Sequence, residues 1–240
     1  MKEQRSGTGS ATFPAWVLPL VAGLLPAVAV ASAFWISVAQ ESIAGCNPFI
    51  DGCVSISRAA RHGLANHVFR ALVLPAAVLQ GLTWLLCVSW LRDLGATGRS
   101  LKWLPWLGVG AAVFLVLYGT FLGTEGDAYR WMRRYGIVGY FGGTFLCMLI
   151  TGGHLRHLAA GGGLRIPARL DVVLLALLAL TLLMGLANVF VPPFFGDDDF
   201  RNRLENVLEW HAGVMYTVYF LMLAWLWRHT AFRVSLLTAG

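Results

Sequence analysis

The chain has 240 residues, of which 58% are hydrophobic and only 12% charged, with a formal net charge of +6. Its mean hydropathy of +0.67 argues against a water-soluble domain, whose helices need polar outer faces. The basic balance instead suits the anionic surface of a membrane, so no nucleic-acid partner is expected.

Six runs contain no Asp, Glu, Lys, Arg or His: 6–40, 71–91, 103–124, 135–153, 172–196 and 212–227. A helix needs about 20 apolar residues to cross the hydrocarbon core. Five runs reach that length or come within one residue of it, and the sixth gains length if Trp210 and His211 sit at the interface. The stretch Val172–Val191 is apolar on every side, which suits lipid rather than one buried face. The expectation is an all-α polytopic membrane protein, a bundle of six transmembrane helices. Its spans fall near 14–39, 70–91, 103–123, 135–155, 170–191 and 207–228, between cytoplasmic tails at 1–13 and 229–240.

The first span has basic residues before it (Lys2, Arg5) and small ones at Ala29, Ala31 and Ala33, as a cleaved signal peptide would. Phe34-Trp35-Ile36 carries the apolar run past that cut, and Pro14, Pro19 and Pro26 mark a kinked, permanent span. With the amino terminus inside, ten Lys/Arg fall on the inner side and eight on the outer, a small excess in the direction of the positive-inside rule. Cys46 and Cys53 bracket the first outer loop, CNPFIDGC. A disulfide there persists only on an oxidising side, which places the loop outside. The expected location is the plasma or inner cell membrane.

Span four carries Gly136, Gly139 and Gly143, the last two as GxxxG, a strip that lets two helix backbones approach closely. The helix it meets, through Gly139 and Gly143, belongs either to the same chain or to another copy. The ten tryptophans fall near span ends, where amphipathic rings anchor at the headgroups.

The outer side holds most of the polar residues with chemical potential. Asn202, Glu205 or Asn206, and Glu209 share a helical face at the start of span six. Glu209 precedes 16 uncharged residues with only Trp210 and His211 between. An ionisable group at such a depth is paired or functional: a general acid or base, a headgroup anchor, or an ion pair to Arg58, Arg61 or Arg70. The guanidinium groups suit phosphate, and they also suit plain snorkelling. His62, His67 and His211 form no HxxxH or HxxE pair, so no metal site is expected. No cofactor is expected either; haem would need histidines deep in facing spans. The Asp197–Asp199 run reads as a solvated loop or an oxygen site for calcium. No G-x-S-x-G elbow surrounds Ser55 or Ser57.

Taken in order, several pieces resemble the Frag/DRAM/Sfk family of six-span proteins, which includes the amino-terminal part of a fungal GPI-lipid remodelling protein. They are Cys46-Asn47-Pro48 with Ser55-Ile56-Ser57, then His67-Val68-Phe69-Arg70 leading into span two. Gly123-Thr124-Glu125-Gly126-Asp127 follows span three, and Asn206 with Glu209-Trp210 leads into span six. The family often has a proline between Ser-x-Ser and span two, where this chain has Arg61-His62-Gly63-Leu64-Ala65. The resemblance implies lipid-related work at the outer leaflet and supplies no catalytic residue. The leading expectation is a protein that binds or remodels a membrane lipid there. Ser57, Arg58, Arg70, Glu125, Asp127, Asn206 and Glu209 would hold the lipid, and Glu209 is the candidate catalytic group. The alternative is a non-catalytic scaffold assembling with partner helices.

Overall fold

The computed structural model describes residues 11–163, 167–190 and 197–236. The start of the amino-terminal tail with Lys2 and Arg5, the linker around Arg165, the loop 191–196 and the last four residues lie outside the described residues.

Among the described residues, six helices are long and apolar enough to cross a membrane. They are α1 (Val17–Ala39), α3 (Gly63–Asp93), α4 (Ser100–Phe121), α5 (Asp127–Ala160), α6 (Ala168–Phe190) and α7 (Asp198–His229), with a single short turn, α2 (Ile56–Ala59), before α3. The chain is a multi-pass membrane protein. Helices α3, α5 and α7 have 31, 34 and 32 residues, or about 45–50 Å at 1.5 Å per residue. That exceeds the roughly 30 Å hydrocarbon core, so their charged ends stand in the headgroup layer or in water. The apolar runs marked the membrane-embedded parts, not the whole helices.

The spans pack as a ring in chain order: α1 on α3, α3 on α4, α4 on α5, α5 on α6, α6 on α7, and α7 back on α1. An even number of crossings returns both termini to one end. There β1 (Ala11–Pro14) and β2 (Arg233–Leu236) pair antiparallel, Ala11 opposite Leu236 and Pro14 opposite Arg233. Among the described residues the ladder is the one β element beside the helices, and its four-residue strands carry no periodicity that a sequence could announce.

The glycine strip of α5 faces α4 of the same chain. A Cβ at Gly139 would meet the Phe114 ring at 2.5 Å, and one at Gly143 would meet Ala111 Cβ at 3.0 Å. Small residues thus let two spans approach where lipid provides no hydrophobic drive. Apart from the half-buried Trp16, the tryptophans divide into two sets. Trp35, Trp103, Trp106, Trp131 and Trp225 are exposed along the helix surfaces, whereas Trp84, Trp90, Trp210 and Trp227 are core residues. Trp90 donates from Nε1 to Thr230 Oγ1 at 2.9 Å and packs on Trp227, fixing the terminal end.

One polar contact explains how α1 holds its shape. Pro26 lies inside α1 and has no N–H to give the carbonyl four residues earlier. That carbonyl belongs to Ala22, which is fully buried. Gln80 of α3 donates from Nε2 to Ala22 O at 3.1 Å, replacing the missing helical donor where no bulk water is present to do so.

Candidate functional site

The site lies at the end opposite the terminal ladder, where the α1–α3 connection folds over the bundle. Cys46 and Cys53 form a disulfide. Inside the ring it closes, Asn47 N donates to Asp51 Oδ2 at 2.9 Å and Phe49 N to Asn47 Oδ1 at 3.1 Å. Gly52 follows with φ of +59°, a left-handed conformation that favours glycine. A side chain there would also run into the Arg203 carbonyl, so both space and backbone exclude one.

From this point the loop is stitched to three neighbouring segments. On α7, Asn206 Nδ2 donates to Gly52 O at 2.7 Å and Trp210 Nε1 to Val54 O at 2.9 Å. Glu209, half-buried between them, accepts from the backbone N–H groups of Ile56 and Ser57. These three α7 residues follow the helical i, i+3, i+4 spacing, and each meets a backbone group of the loop between Gly52 and Ser57. On α1, Ser37 Oγ donates to Ala59 O at 2.6 Å. On α3, Asn66 Nδ2 donates to Ala60 O at 2.9 Å and to Leu122 O at 3.0 Å, tying the loop to the end of α4. Buried polar groups in a membrane protein need such partners, and here the loop backbone supplies them.

The structure therefore brings three of the sequence candidates together, Ser57, Asn206 and Glu209. Ser57 Oγ lies 3.1 Å from Ser55 Oγ, and Ser55 caps α2 by accepting from Arg58 N. The remaining candidates stand apart. Arg58 is exposed, and neither it nor the half-buried Arg70 has a side-chain partner among the described residues. Glu125 is exposed in the α4–α5 connection, and Asp127 is paired there with Arg130 at 3.5 Å. Glu209 forms no ion pair with arginine; among the described residues the ion pairs are Arg130–Asp127, Arg156–Asp171 and Arg201–Asp198. No cluster of three or more His, Cys, Asp or Glu side chains gathers among the described residues.

Beside this loop strap, residues 46–60 tied down by α1, α3 and α7, α1 and α7 enclose a groove of about 580 Å³. Its walls run from Pro26 to Trp35 on α1 and from Trp210 to Val218 on α7, and the disulfide loop at Cys46–Phe49 covers its upper end. One turn below Pro26 the helices close together: a Cβ on Gly23 would meet Phe220 Cβ at 2.6 Å. Phe34 and Phe49 both pack edge-on to Trp210 at 5.6 and 5.3 Å, forming an aromatic rim. The groove has a floor, two walls and a rim, and its lining is mainly apolar, with Asn47 and Thr217 as its polar side chains.

Two elements of this end escaped the sequence. The groove depends on how α1 and α7 meet, which no local pattern records. Tyr118 lies in the charge-free run of α4, yet its buried hydroxyl neighbours the charges of Glu209, Arg61 and Arg133. The chain matches no known family model, no curated protein and no solved structure; the Frag/DRAM/Sfk likeness rests on its short motifs alone.

Proposed function

We propose that this protein holds a membrane lipid in the leaflet next to the disulfide loop, with an acyl chain in the groove between α1 and α7. The sequence argument from the cysteines assigns that leaflet to the outer face. The observation that carries the reading is the groove's shape. Its α1 wall, from Pro26 to Trp35, rises about 14 Å at 1.5 Å per residue, close to half of the roughly 30 Å hydrocarbon thickness. The groove is thus as deep as one leaflet and ends at a floor near the bilayer centre. Its volume of about 580 Å³ falls within the range of small-molecule sites. Aromatic side chains stand where the chain would join its headgroup, the level such rings prefer. Lipid-related work is also what the Frag/DRAM/Sfk resemblance implies.

The strap supports this reading as a positioning device. Asn206, Glu209 and Trp210 hold the loop that roofs the groove, so their part is to place the rim at a fixed height.

The test is lipid retention by the purified protein, counted by native mass spectrometry. Val214→Trp fills the groove from α7, whereas Val138→Trp enlarges an exposed residue on α5. Loss of bound lipid in V214W with retention in V138W is the expected result. Equal retention in both variants and in the wild type would remove the groove from the proposal.

A further inference from the structure

Across the strap from the groove, two sequestered donors without hydrogen-bond partners lie near an arginine bonded only to main-chain carbonyls. Arg61 is half-buried and its Nε is sequestered without a hydrogen-bond partner. The Tyr118 hydroxyl is buried without one as well, in a residue only 3% exposed. Arg133 reaches back from α5, its Nη1 donating to the carbonyls of Phe121 and Thr124. The same turn carries Gly123, which packs directly on the Arg61 carbonyl. The backbone at 121–124 therefore holds both arginines beside the end of α4.

Arg61 and Arg133 lie within electrostatic reach of each other and of Tyr118, and Arg130 adds a third positive charge near Arg133. Two like charges in a partly dehydrated setting repel. Glu209, the carboxylate within electrostatic reach of Tyr118, is bonded to the Ile56 and Ser57 amides, and no carboxylate pairs with Arg61 or Arg133 among the described residues. Two guanidinium groups and a hydroxyl donor with open hydrogen-bonding capacity suit a tetrahedral oxyanion. We infer that Arg61, Arg133 and Tyr118 form a binding site for a phosphate group at the end of α4. The site goes beyond the groove, shares no lining residue with it and does not require it to hold lipid. The phosphate comes from a lipid headgroup or from free solution.

The experiment uses the full chain in a neutral maltoside detergent, with the thermal unfolding midpoint followed by tryptophan fluorescence. Inorganic phosphate and short-chain phosphatidic acid are titrated separately, each against chloride at equal ionic strength. A rise in the midpoint above the chloride control is expected. Half-saturation should move up about ten- to hundredfold in Arg61→Gln and in Tyr118→Phe, the loss of one donor to a charged group. Tyr118→Phe deletes only the unpaired hydroxyl, so this variant keeps the packing of α4. A response to phosphatidic acid alone assigns the site to a headgroup; a response to both probes assigns it to the phosphate itself. No rise above chloride, or unchanged half-saturation in both variants, overturns the inference. Val214→Trp keeps the phosphate response whether or not it retains lipid, which separates this site from the groove.

Discussion

The sharpest consequence of the fold concerns a single carbonyl. Ala22 O lacks its helical donor because Pro26 has no N–H, and Gln80 Nε2 fills the vacancy at 3.1 Å. Gln80→Met removes that donor while roughly keeping side-chain volume. An orphaned buried carbonyl costs about 1–3 kcal/mol. The Gln80 Oε1 has no partner of its own, so deleting the amide also relieves one unsatisfied atom and brings the net loss to about 1–2 kcal/mol. Pro26→Ala restores an N–H that reaches Ala22 O within α1. In that background Gln80→Met should be nearly neutral, giving a coupling of about 1–2 kcal/mol in a double-mutant cycle. The assay is reversible unfolding in mixed micelles for the four proteins. Effects that add to within about 0.5 kcal/mol would show that Gln80 does not substitute for the proline, and the explanation of α1 would fail.

Other outcomes follow from the strap and from the glycine strip. Glu209→Ala frees the amides of Ile56 and Ser57; losing about 3 kcal/mol of charge-assisted bonding speeds their hydrogen exchange about a hundredfold. Unchanged exchange at those two amides would mean that Glu209 does not hold the loop. Gly139→Leu, which drives a side chain into Phe114, lowers thermal stability, whereas Gly142→Leu points into open space and leaves it unchanged. Neither is expected to alter the oligomeric state measured by light scattering; a change confined to Gly139→Leu would favour assembly with another copy.

How much of this was legible depends on what carries each feature. The six spans were readable because lipid demands apolar side chains on nearly every face, and a run such as Val172–Val191 records that demand directly. Helix ends were not, since Asp198–Val207 and Asp127–Arg134 lie beyond the hydrocarbon, where charged residues are free to continue a helix. The polar face of Asn206 and Glu209 was visible from its spacing, but its partners were not. Gly52, Val54, Ile56 and Ser57 contribute backbone groups, and a peptide N–H or C=O looks the same under any side chain. The same reason hid the pairing of Gln80 with Ala22. Trp84 and Trp227 read as interface anchors because they lie near span ends, yet each is at most 1% exposed. Only the packing of neighbouring helices decides whether such a ring faces lipid or core.

Lipid occupancy of the α1–α7 groove is best tested by placing a photoreactive benzophenone side chain at Val214, with the same group at Val138 as a reference. After extraction and exhaustive detergent washing, irradiation should give a stoichiometric lipid adduct at position 214 and almost none at 138. Adducts of equal yield at the two positions, or no adduct at 214, would contradict a lipid held in the groove.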